Sequence, residues 1–250
     1  MRYAQKKLLI TSAIISLGLI NVAAAADLPS RTYSKAPPIL EAAYNWSGFY
    51  VGINGGGGTS RNDWFADGFG DEGRHNATGG TVGGQIGYRW QVMSSWVFGV
   101  EAQGNWADFK GSNASLQFPG QLNQTQIESF GLFTGQIGYA WDRALFYVKG
   151  GGAVTDNKFT AISTLPPLVG VDTTRNSRWG GTVGAGVEYA FFPNWSVGFE
   201  YDHLFMGNPD VVSPTGFLIV DHIKQDVDLF TVRVNYKFGG PWGVPTYPTY

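Results

Sequence analysis

The chain has 250 residues, no cysteine and a formal net charge of −2; 36 residues are glycine, aromatics make up 15% and charged residues only 14%. The missing cysteines exclude a lipoprotein anchor, a disulfide framework and a thiolate metal site. The charged fraction is well below the ~25% usual for soluble domains. With no basic run in view, a nucleic-acid partner is excluded as well.

Residues 1–26 carry an export pattern. Arg2, Lys6 and Lys7 precede the apolar run from Leu8 to Ile20, and Ala24 and Ala26 then stand in an A-x-A arrangement. The run is shorter than the ~20 residues a spanning helix needs. The expectation is a signal peptide cleaved between Ala26 and Asp27, leaving a mature chain near −5. Residues 27–45, with Pro29, Pro37 and Pro38 and no period, read as an extended arm on the periplasmic side.

From Trp46 onward the pattern alternates every second residue. Val82, Gly84, Ile86, Tyr88 and Trp90 share one face, against Thr81, Gly83, Gln85, Gly87 and Arg89. Trp96, Phe98, Val100, Ala102 and Trp106 oppose Glu101, Gln103 and Asn105. Trp195, Val197, Phe199, Tyr201 and Phe205 oppose Ser196, Glu200 and Asp202. Near the C-terminus, Phe230, Val232, Val234, Tyr236 and Phe238 oppose Leu229, Thr231, Arg233, Asn235 and Lys237. Helical spacing is lacking, so these segments are strands. Eight are expected, near 46–58, 79–91, 96–107, 127–141, 145–155, 179–191, 195–205 and 227–238. Three connections, at 92–95, 142–144 and 192–194, are tight. The other four, near 59–78, 108–126, 156–178 and 206–226, are long and polar. Strict alternation of short and long connections is the mark of an outer-membrane barrel. The fold class expected is therefore all-β: an eight-stranded antiparallel transmembrane β-barrel over 46–238, with 239–250 as a C-terminal tail.

Two residue sets follow from this reading. Trp46, Trp90, Trp96, Trp106, Trp141, Trp179, Trp195 and Phe238 fall at strand ends, where amphipathic rings favour a membrane interface. Arg89, Glu101, Glu128, Lys149, Glu188, Glu200, Asp202, Arg233 and Lys237 fall on the opposite face. An eight-stranded barrel is just wide enough for side chains to fill, so these charges are expected to pair inside it. No G-x-S-x-G or H-E-x-x-H motif occurs, and no enzyme, cofactor or metal site is implied. His75, His203 and His222, with Trp64, read as solvated loop residues; a loop site for a host or haem-type ligand is the sharper alternative, and a small-solute porin another.

The segments DLPSRTYSKAPP (27–38), NWSGFYVG (45–52), GGQIGYRWQ (83–91), FTGQIGYAW (133–141) and VRVNYKFGG (232–240) together resemble the outer-membrane immunogenic proteins of alphaproteobacteria, small surface barrels related to opacity-type porins. The resemblance implies an eight-stranded barrel in the bacterial outer membrane, in contact with lipid and lipopolysaccharide and inserted by the barrel-assembly machinery. It also implies a surface antigen contributing to envelope integrity or contact with a host ligand, and it brings no catalytic residues. One departure is that twelve residues follow Phe238, the aromatic at which such a terminal strand normally ends.

Overall fold

A computed structural model describes residues 44–66, 70–116, 120–164, 169–207, 210–211 and 221–238. The expected signal peptide, nearly all of the arm, and the tail lie outside them. The strands are β1 (Gly48–Ala66), β2 (Gly70–Val92), β3 (Trp96–Ala114), β4 (Gln121–Trp141), β5 (Ala144–Ser163), β6 (Gly170–Ala190), β7 (Trp195–Phe205), the two-residue β8 (Asp210–Val211) and β9 (Asp221–Phe238). All pairings are antiparallel. Neighbours in sequence pair in turn, β7 pairs with β9, and β9 returns to β1 from Phe49↔Phe238 to Ala66↔Asp221. Eight strands thus close a ring, and the two-residue β8 pairs only with the first two residues of β9. Closure leaves no open edge, which is what lets strands stand in hydrocarbon.

The tight connections sit where the sequence puts them. Met93–Ser95 and Asp142–Arg143 are turns, and Met93, Ser94 and Asp142 adopt positive φ there. The long connections differ from expectation. Most of 59–78, 108–126 and 156–178 is strand, continuing the ladders to Ala66↔Gly70, Ala114↔Leu122 and Ser163↔Gly170. These extensions carry mostly polar residues on the outer face and polar residues mixed with Trp64, Phe109 and Phe159 on the inner one, so the period-two contrast disappears although the strands do not. The ladder needs only backbone partners, and Asn, Asp, Ser and Thr supply those as well as Val does.

Bulges modify the alternation. Between Ile127 and Ser129 the β4 register shifts, so inward residues are even-numbered below the bulge (Phe130, Leu132, Thr134, Gln136) and odd-numbered above it (Asn123, Thr125, Ile127). Glu128 is rotated out by this shift and faces Arg175 at 3.5 Å on the outer wall, a correction to its expected inward position.

Gly151 and Gly152 point to opposite faces of β5. A Cβ on Gly151 would strike the Phe133 carbonyl of β4, whereas one on Gly152 meets nothing within 4 Å. Gly151→Ala is expected to destabilise the barrel by about 1–3 kcal/mol, as overpacking does. Gly152→Ala should stay within about 0.5 kcal/mol. Urea titration of the refolded barrel, followed as loss of the heat-modifiable band, distinguishes the two.

Candidate functional site

The lumen is filled in layers. At the end bearing the tight turns, Trp46, Val97, Ala140, Leu145, Tyr147 and Ala190 form an apolar floor, with Tyr44 packed edge-on against Trp46 at 4.8 Å. Trp46 is only 2% exposed. It precedes β1 and turns into the barrel, so its expected place among the outward aromatics is corrected. Its indole lies 5.6 Å from the Arg89 guanidinium, whose charge rewards an inward-facing ring.

Above the floor stands the charged layer. Arg89 and Glu188 make a two-pronged pair at 3.1 and 2.8 Å, and Ser196 donates to the same carboxylate. Arg233 bridges Glu101 and Glu200. Tyr50 donates to Glu101 and Tyr147 to Glu200, both at 2.6 Å. Lys149 lies 2.7 Å from Glu200, 3.2 Å from Asp202 and 3.6 Å from Glu101. Three cations and four carboxylates from β2, β3, β5, β6, β7 and β9 therefore form two ion-paired groups in one layer, Arg89 with Glu188, and Arg233 and Lys149 with Glu101, Glu200 and Asp202; each of the seven side chains is buried. Lys237, like Glu128, is an exception to the inward set. It is half-buried at the floor, where it donates to the Asn45 carbonyl and lies 4.3 Å over the Tyr44 ring.

The next layer is neutral and polar. Asn54, Gln85, Asn105 and Asn235 are linked by amide hydrogen bonds of 2.6–2.7 Å. Over these sits an apolar plug of Phe109, Ile127, Phe130, Leu132, Leu204, Val227 and Leu229 among others. Sequence reasoning missed this plug, although Leu229 and Leu132 already stood on the otherwise polar face. Higher still, Gln225 Nε2 donates to Asn62 and Asn157, each at 3.2 Å. Trp64, Phe159, Ala161 and Ile223 close the outer end, with Arg178 4.7 Å over Phe159 and donating to the Ile223 carbonyl at 2.8 Å.

His75 and Trp64 belong to this outer cap rather than to exposed loops. The two imidazole nitrogens of His75 meet Asn113 at 2.8 Å and Thr125 at 3.0 Å, and its ring is 6.1 Å from Trp64. His203 faces outward and pairs with Asp228 at 2.7 Å. No group of metal-ligating side chains occurs among the described residues.

On the outer wall, Trp90, Trp96, Trp195 and Phe238 are about half exposed, and Trp106, Trp141 and Trp179 more than 70% exposed. Near the tight turns the rings touch across strands, as in Trp96–Tyr139 at 5.7 Å and Trp195–Tyr236 at 5.1 Å. Toward the other end stand Trp106, Trp179 and Phe205. Between these levels the outer face is Val82, Ile86, Val100, Phe133, Val148, Val183, Phe199 and Val232, all exposed. A contiguous apolar band around a closed ring has no counterpart on a soluble barrel.

A family model described as the outer membrane protein beta-barrel domain matches residues 12–238. The chain belongs to that family. It is a protein of the bacterial outer membrane. It is 30% identical to the 31 kDa outer-membrane immunogenic proteins of Brucella melitensis biotype 1 and Brucella suis biovar 1, with 90% of this chain and 98% of each relative covered. Among solved structures, OprG from Pseudomonas aeruginosa is similar at 15% identity and a TM-score of 0.45, covering 78% of this chain and 97% of that one.

Two tests follow for this barrel. Among the described residues, Arg233→Met leaves Lys149 as the one cation facing Glu101 and Glu200, at 3.6 and 2.7 Å, and should cost about 3–5 kcal/mol. Arg175→Met removes only an exposed pair and should cost less than about 1 kcal/mol. Denaturant midpoints of the two refolded variants give the comparison. The second test concerns His75, which lies beyond the Trp106 level, outside the apolar band. Burial lowers its pKa below 6.5. The unfolded chain then binds the proton more readily, so the stability His75 contributes is present above pH 6.5 and is lost as pH falls below it. Hydrogen-exchange protection factors, which are normalised to the intrinsic rate at each pH, should fall at Asn62, His75, Asn113 and Thr125 below pH 6.5 in the native protein and lose that dependence in His75→Gln.

Proposed function

We propose that the chain is a sealed, non-enzymatic structural barrel exposed at the cell surface, contributing to envelope integrity and presenting its outer hairpins as antigen and contact surface. The observation that carries this reading is the continuous filling of the lumen from Trp46 to Trp64. Three apolar layers and an ion-paired layer follow one another along the axis, and Glu101 and Arg233 are spent on each other rather than lining an opening. The same packing argues against the small-solute porin.

The membrane placement belongs to this proposal. Trp90, Trp96, Trp141, Trp195 and Phe238 serve one interface, and Trp106 and Trp179 the other. The floor, the N-terminal arm and the tail then face the periplasm. Residues 1–26 act as the export signal, cut at Ala26/Asp27, and the assembly machinery reads β9 up to Phe238. Strand extensions past Trp106 and Trp179 then stand outside the cell. Host contact through these hairpins is supported by their polar surfaces. A haem-type ligand is not, since His75 and Trp64 are packed inside.

In planar bilayers the purified barrel is expected to give no discrete conductance steps, and Leu132→Gly with Leu229→Gly should introduce them by opening the plug. Steady native conductance abolished by Glu101→Ala would instead establish the porin. Replacing the four connections with short turns should remove antibody and host-cell binding while leaving the heat-modifiable band intact.

A further inference from the structure

The outer wall carries a second feature above the apolar band. Lys110 pairs with Gln126 across β3 and β4, Gln126 with Lys158 across β4 and β5, and Lys158 with Arg175 across β5 and β6. Residues directly opposite in a ladder share a face. The register thus lays three cations in a row across four of the eight ring strands. One row further out stand Ser112, Gln124, Thr160 and Thr173 in the same order. Lys110, Ser112, Gln124, Gln126, Lys158 and Thr160 line a concave groove of about 410 Å³.

The donors in this groove have a definite chemistry. Two ammonium groups provide point charges for an anion, while two hydroxyls and two amides donate and accept in the manner sugar hydroxyls require. The volume falls at the lower end of the ~300–1,000 Å³ range of small-ligand sites, enough for one or two sugar rings. Lys158 forms no ion pair among the described residues. Lys110 is held by Asp108 at 2.7 Å, a solvent-exposed contact of the kind an incoming anion displaces easily. Arg175 is engaged by Glu128 at the edge of the row.

The position of the groove narrows the ligand further. It begins four residues beyond Trp106, about 13 Å along a strand, where the sugars of an outer-leaflet glycolipid meet the barrel. On the same β3 and β4, below Trp106, a second concavity of about 510 Å³ is lined by Ile86, Val100, Ala102 and Phe133 on the lipid-facing side. A polar anion-binding groove and an apolar groove on shared strands, with a tryptophan between them, match a molecule with anionic sugars at one end and acyl chains at the other.

We infer that Lys110 and Lys158, with their hydroxyl and amide neighbours, form a seat for the anionic inner sugars of lipopolysaccharide, whose acyl chains lie against the apolar groove beneath. The inference rests on the orientation proposed above, with Lys158 outside the cell. It deepens that reading by assigning a fixed lipid to one side of the barrel.

The test uses the full mature chain in nanodiscs and native mass spectrometry to count retained rough lipopolysaccharide. Lys110→Gln with Lys158→Gln should reduce retention about tenfold, on the scale of the attraction each basic residue contributes near an anionic surface. Arg74→Gln with Lys224→Gln, on β2 and β9, should change it less than twofold. Wild-type retention of lipid A lacking the inner sugars should match that of the double lysine variant. The inference is overturned if the lysine variant retains rough lipopolysaccharide like wild type, or if the Arg74/Lys224 pair loses as much. It is equally overturned if lipid A alone is held as tightly, or if the soluble oligosaccharide released from rough lipopolysaccharide binds as well as the lipid. An unchanged heat-modifiable shift establishes that each variant is folded. Labelling of Lys158→Cys in intact cells by an impermeant maleimide tests the orientation separately.

Discussion

Everything in this structure depends on the pairing of β9 with β1 along its whole length, from Phe49↔Phe238 to Ala66↔Asp221. In hydrocarbon an unpaired N–H or C=O costs several kcal/mol, and an open eight-stranded sheet would present two such edges. Closing the ring removes both. It also imposes the second condition of the fold, because every other side chain is now committed to an interior of fixed and small width. The Gly-rich stretches of β1, β2, β5 and β6 meet that condition: at Gly56 and Gly151 a neighbouring carbonyl occupies the space a side chain would take.

The interior answers a difficult electrostatic demand. Seven ionised or ionisable side chains lie in one buried layer, and their desolvation is offset because every cation is paired, Arg89 with both oxygens of Glu188, and Arg233 and Lys149 each with more than one carboxylate. Arg233 is the hub, touching carboxylates from β3 and β7, while Arg89 ties β2 to β6 across the lumen. Such bonds fix the distance between strands that are not neighbours in the sheet. The apolar layers on either side keep water from screening them, so charge and packing strengthen each other. A charge network of this kind, held between a plug above and a floor below, rigidifies a wall.

The alternation that divides Arg89, Glu101, Glu200 and Arg233 from Trp90, Val100, Phe199 and Val232 is legible in the sequence, because inside and outside differ in polarity at these positions. Which carboxylate each cation meets is not legible, since that depends on register and on distances across the lumen. Trp46 shares the even parity of the inward Tyr50 and Asn54, a signal obscured by its place at a strand end, where aromatic rings ordinarily face the membrane interface. Glu128 was misplaced because a bulge reverses the parity of β4 and leaves no local signature. The outer strand extensions escaped for a third reason. Beyond the apolar band both faces carry polar groups, so Arg61, Asn62, Asp63, Arg74 and Lys110 look like loop residues although the backbone ladder continues through them. Trp64 and His75, buried by that continuation, went unrecognised for the same cause.

The central claim is that the wall sorts its tryptophans, with Trp46 and Trp64 inside and Trp90, Trp106, Trp141 and Trp179 outside against lipid. Single-tryptophan versions of the chain in vesicles of brominated lipid measure this sorting directly, since bromine quenches only rings it can approach. Strong quenching of Trp90, Trp106, Trp141 and Trp179, with Trp46 and Trp64 fluorescing as in unbrominated lipid, is the predicted result. Quenching of Trp46 to the level of Trp90, or none at Trp106 and Trp179, would contradict the account.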